Sequence, residues 1–196
     1  MFERDEVIRS LTGAWWLFLD RPGAMRFFDV TLDGFWRSFA AVFLLVPAFA
    51  LTATAEYQVV LSDAIPDDGF SNAAFVFDKI LALGLDWIAL PIILAILARP
   101  LGIARTYAAF IVARNWCSVI AVLPFGLIGL LFASGIFGID AANFLSLAAL
   151  IVILRYNYLI ARRALNAGIA FAIGLVVLDL VVSLSIAAVA DSLAGI

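Results

Sequence analysis

Histidine is absent from this sequence, and cysteine occurs once, at Cys117. Without histidine there is no imidazole for acid–base catalysis, and a single thiol builds neither a disulfide framework nor a thiolate zinc site. Charge is also scarce: 14% of the residues are charged, 66% are hydrophobic, and the mean hydropathy is +1.14. A soluble domain does not have that composition. Period-two alternation is missing, which argues against an outer-membrane barrel. No HExxH, GxSxG or phosphate-cradling glycine loop appears, so no enzymatic site, metal, cofactor or nucleic-acid partner is expected. The opening residues Phe2-Glu3-Arg4-Asp5-Glu6 do not read as a cleavable signal, which needs a basic start followed directly by an apolar run.

What remains is a series of long apolar runs, several reaching the ~20 residues that cross a bilayer. They predict an all-α polytopic membrane helix bundle of five transmembrane helices behind an N-terminal amphipathic interfacial segment. The expected division is residues 1–36 for that segment and 37–196 for the spans. In residues 7–19, Val7, Ile8, Leu11, Trp15, Phe18 and Leu19 share a helical face, with Arg9, Thr12, Trp16 and Asp20 largely off it. After the break at Arg21-Pro22-Gly23, a second piece sets Met25, Phe28, Leu32, Phe35 and Trp36 against Arg26, Asp29 and Asp33. Such helices either lie in the headgroup region, with Trp15 and Trp16 at its level, or pack beneath the bundle. Both readings stay open.

The spans are expected at residues 38–60, 73–98, 106–139, 141–161 and 168–190, with kinks at Pro47 and Pro91. The third decides the topology. At ~1.5 Å per residue, residues 106–139 make about 51 Å of helix against a hydrocarbon core of about 30 Å. If they cross once, Arg4, Arg9, Arg21, Arg26, Arg37, Arg99, Arg105, Arg162 and Arg163 all share one side, and the acidic loop with Asp63, Asp67 and Asp68 lies on the other. A double crossing spoils that asymmetry. The positive-inside rule thus favours a multi-pass inner-membrane protein with its N-terminus cytoplasmic and its C-terminus outside. Tilt, a kink at Pro124-Phe125-Gly126, or overhang absorbs the surplus length. Overhang at the inner end would set Arg114-Asn115-Trp116 near the inner headgroups.

Two stretches carry a resemblance. Leu19-Asp20-Arg21-Pro22 followed by Phe27-Phe28, and the run from Tyr156-Asn157-Tyr158 through Arg162-Arg163-Ala164-Leu165, resemble the pre-span segment and penultimate span end of bacterial Yip1-like membrane proteins. The resemblance implies a five-span protein, linked in eukaryotes to vesicle traffic and small GTPases. It carries no functional residue over to this chain.

Seven ionisable groups fall inside the spans, where charge is costly and marks function by default. By depth, Glu56, Asp78 and Lys79 form an outer cluster roughly 28–31 Å above the basic flanks. Asp86 and Asp179 sit roughly 20 Å up, and Arg114 and Arg155 about 10–14 Å up, making an intramembrane charge layer of two acids and two bases. Asp179 with Arg155 is the first pair expected, since successive spans are neighbours. The layer reads as buried locks, as a proton or ion pathway, or, at Arg114 and Arg155, as an anionic-lipid site. Gly126, Gly129, Gly135 and Gly138 suggest close helix packing. The function expected is a non-enzymatic scaffold or assembly factor binding lipids and other membrane proteins or its own copies. The alternative is a small ion- or proton-coupled transporter.

Overall fold

A chain segment in hydrocarbon must satisfy its own backbone, so apolar runs of this length fold as helices. The structure, a computed structural model, describes residues 4–63 and 71–194; most of the acidic loop, including Asp67 and Asp68, lies outside them. The elements are α1 (Arg4–Phe18), α2 (Leu32–Ser38), α3 (Val42–Asp63), α4 (Asn72–Leu97), α5 (Tyr107–Ala121), α6 (Leu123–Ala133), α7 (Ile139–Ala164) and α8 (Ile169–Ala194). Single 3-10 turns at Ala24–Phe27 and Phe39–Ala41 complete them, and no strand occurs among the described residues. Five stretches are long and apolar enough to span a membrane: Leu32–Leu61, Asn72–Leu97, Tyr107–Ala133, Ile139–Ala164 and Ile169–Leu193. The expected all-α, five-span bundle is what forms.

The third stretch passes through once, as α5 and α6 with a break at Val122. Pro124 sits in the first turn of α6, where its missing N–H costs nothing. The first span begins earlier than expected. Thr31 caps α2 by accepting the Gly34 N–H at 3.1 Å, and the 3-10 turn carries the rod straight into α3. The division at 36/37 therefore falls inside α2.

The core is built around α5, whose Phe110, Ile111, Val112, Ala113, Trp116 and Cys117 are all buried. Asn115 and Trp116 of the Arg114-Asn115-Trp116 stretch face protein. Helices α1 and α2 pack across α5, so Asn115 and Trp116 are sealed inside. Asn115 Nδ2 donates to Ser38 Oγ at 3.0 Å, a buried polar link between α5 and the first span.

Helix α1 packs under the bundle, but not on the face that its largest apolar residues share. Glu6, Ser10, Gly13, Ala14 and Leu17 are buried, while Ile8 is 63% and Trp15 50% exposed. Small residues allow close approach to α5 and the 3-10 turn; at Gly13 a Cβ would stand 2.7 Å from Phe27 Cβ. Ile8, Trp15 and Leu19 face outward, whereas Val7, Leu11 and Phe18 are partly buried against the core.

Sequential spans are not always partners. Helix α3 packs mainly on α6, and α4 on α8, so α3 and α4 diverge. Gly126 and Gly129 make the α3–α6 seam: a Cβ at either would come 2.8 Å from Ala48 Cβ or Leu51 O. Gly135 and Gly138 have open space instead, and Gly135 serves the turn after α6 with φ of 73°.

Candidate functional site

The charge layer expected from depth divides in two. Arg114 Nη2 donates to Asp179 Oδ1 at 3.2 Å, joining α5 to α8, with both side chains largely buried. Arg155 is not Asp179's partner. It points away from α8, and its Nη1 donates to Phe18 O at the C-terminal end of α1 at 3.4 Å. Adjacency of successive spans does not fix rotation about the α7 axis, and it is Arg114 that meets Asp179. Asp86 makes no ion pair among the described residues and accepts a short hydrogen bond from Ser183 Oγ, joining α4 to α8.

Asp86, Ser183, Arg114 and Ser118 line one cavity of about 360 Å³ in the middle of the bundle, with Phe125 as part of its wall. Phe125 also lines a larger cavity of about 680 Å³ at the end away from α1. The outer cluster opens into that second space. Lys79 Nζ stands 3.1 Å from Glu56 Oε2 and 3.1 Å from Asp78 Oδ2. Asp78 is only 1% exposed, and the Lys79 ammonium is the cation its carboxylate meets among the described residues.

Four polar residues of this cavity were not singled out in the sequence: Thr52, Asn143, Ser146 and Asp191. Asn143 and Ser146 are three apart on α7, a spacing that places them on one face. Asp191 falls just past residue 190, where the last span was expected to end, so it was not counted among the intramembrane acids. No group of three or more Cys, Asp or Glu suited to a metal occurs among the described residues.

At the other end, α7 and α2 clamp α1. Tyr156 OH donates to Ala14 O at 2.7 Å in a buried bond. Arg163 donates to Asp20 Oδ1 through Nε at 3.0 Å and Nη2 at 2.7 Å. Arg37 of α2 reaches Glu6 Oε2 at 2.9 Å and Asp29 Oδ2 at 2.7 Å. Thr31 donates to Asp29 through both its N–H and its hydroxyl, and these bonds, ahead of the Arg37 charge, hold the Asp29 carboxyl below its ordinary value. The two stretches that carry the Yip1-like resemblance thus meet, Asp20 of one against Arg163 of the other.

Five helical stretches long and apolar enough to span a bilayer define a multi-pass α-helical membrane protein. No protein family, curated protein or solved structure matches the chain.

Proposed function

We propose that this is a non-enzymatic inner-membrane scaffold or assembly factor that binds lipids and other membrane proteins, with its α1 end in the cytoplasm. The observation that carries the reading is how the intramembrane charges are spent. Arg114 is matched by Asp179, Lys79 by Glu56 and Asp78, and Arg155 reaches back to the α1 backbone. Groups bound to each other across helices fix register and leave a rigid body with an apolar exterior. The Yip1-like resemblance agrees with that reading and rests on the residues quoted for it.

One observation favours the second reading, a small proton- or cation-coupled transporter. Asp86 lacks a cationic partner among the described residues, and its cavity shares the Phe125 wall with the acid-rich space beyond. Proteoliposomes enclosing a pH-sensitive dye separate the two. A scaffold gives no flux above empty vesicles under an imposed gradient, and co-purifies with a stoichiometric protein or lipid in mild detergent. A flux abolished by Asp86→Asn would overturn the scaffold and establish the transporter.

A further inference from the structure

The divergence of α3 and α4 leaves a trough of about 590 Å³ between them, lined by Val46, Phe49, Ala50, Val76, Ile80 and Leu83. Its far end is polar: Tyr57 OH donates to Asn72 Oδ1 at 3.0 Å, and Lys79 stands beside them. From Val46 to Tyr57 the trough runs ~17 Å along α3, about half the ~30 Å hydrocarbon thickness. That is the length of one leaflet.

Phe75 and Lys79 line both this trough and the 680 Å³ cavity, so the two spaces meet at one wall. On the cavity side Lys79 pairs with Glu56 as well as with the buried Asp78, and Asp191 contributes a second lining carboxylate across the space. One ammonium and two carboxylates suit a headgroup carrying both signs. A phosphate would lie against Lys79, and an ammonium against Glu56 and Asp191, each as a charge-assisted hydrogen bond. The net negative lining disfavours a purely anionic headgroup, and a quaternary ammonium has no N–H to donate.

We infer that the outer cavity and the α3–α4 trough form one binding site for a zwitterionic phospholipid whose headgroup ends in a primary ammonium, its acyl chain lying in the trough. The site deepens the lipid-binding part of the proposed function. Its failure leaves the scaffold reading to be decided by the flux and co-purification results.

The test is native mass spectrometry of the detergent-solubilised protein titrated separately with phosphatidylethanolamine, phosphatidylcholine and phosphatidylglycerol. Phosphatidylethanolamine should bind at least about tenfold more tightly than either of the others, the difference expected for about one well-placed charged contact. Glu56→Gln combined with Asp191→Asn should reduce it to the phosphatidylcholine level. Ala50→Trp, placed at an exposed position so that folding is spared, should weaken all three lipids by filling the trough. Equal affinities for the three lipids, or an Ala50→Trp protein that binds as wild type does, would mean annular lipid only and overturn the site.

Discussion

Arg114 and Asp179 are the pair on which the middle of the bundle depends, because each would be an orphan charge in hydrocarbon without the other. Breaking a well-buried pair costs ~3–5 kcal/mol, whereas removing both partners leaves nothing stranded. Thermal unfolding in detergent should therefore show a large loss for Arg114→Gln or Asp179→Asn alone and a much smaller one for the double variant. Arg155→Gln should add to Asp179→Asn without coupling. Coupling of Asp179 with Arg155 instead would contradict the geometry. Depth could be counted from the sequence because rise per residue is constant. Azimuth could not, since a helix whose neighbours are unknown offers no reference for which way Arg155 turns.

Asp29 gives a second test on the same scale, outside the spans. Its folded pKa is depressed by the Thr31 hydrogen bonds. The stabilisation is therefore full above the ordinary carboxylate value of about 4 and is withdrawn as pH falls through the lower folded value. The Thr31 amide resonance, which reports its bond to Asp29, should titrate with a midpoint below about 4. A midpoint at or above that value would mean that the Thr31–Asp29 bonds are not formed.

At the scale of elements, the seam between α3 and α6 is set by two missing side chains. Gly129→Leu puts a branched side chain where a single Cβ already meets Leu51 O at 2.8 Å. Overpacking of this kind costs roughly 1–3 kcal/mol or more, since backbone must move. Disulfide cross-linking between cysteines placed at Thr52 and Leu130, adjacent in the register set by Gly126 on Ala48 and Gly129 on Leu51, should fall sharply in that variant, and an unchanged yield would show the seam to be loose. The glycines at 126 and 129 could be suspected from their spacing; that 135 and 138 pack against nothing could not. Helix α1 shows a similar limit. Its moment pointed to the bulky residues, yet Ala14 and Leu17 make the contact, because tight helix packing is governed by small residues as much as by greasy ones. Leu17→Glu should release α1 to protease in inverted vesicles, whose cytoplasmic face is outward, while Ile8→Glu at an exposed position should leave it protected.

The whole molecule was the most legible scale. A single crossing by α5 and α6 followed from where the basic residues collect, and the structure passes through once. The orientation proposed from the same charges predicts that a reporter active only outside the cytoplasm works when fused after Ile196 or within residues 62–68. It should be silent when fused after Pro100. Activity after Pro100 with silence after Ile196 would reverse the protein in the membrane. What charge counting left hidden was which spans touch, because α3 joins α6 and α4 joins α8 through contacts that no loop length announces.

The clamp on α1 has a bearing on the order of events in time. Ala14 is made early, but Tyr156, which holds it, is 142 residues further along, and the Asp20–Arg163 contact closes over 143. At ~5–20 residues per second, α1 emerges from the ribosome some 7–30 s before its anchors do. For that interval α1 has the 3-10 turn, α2 and then α5 on one side, while Ile8 and Trp15, outermost, have the membrane surface to rest on. The outward-facing bulky residues thus serve the unfinished chain, keeping α1 at the bilayer until α7 arrives to receive its other side.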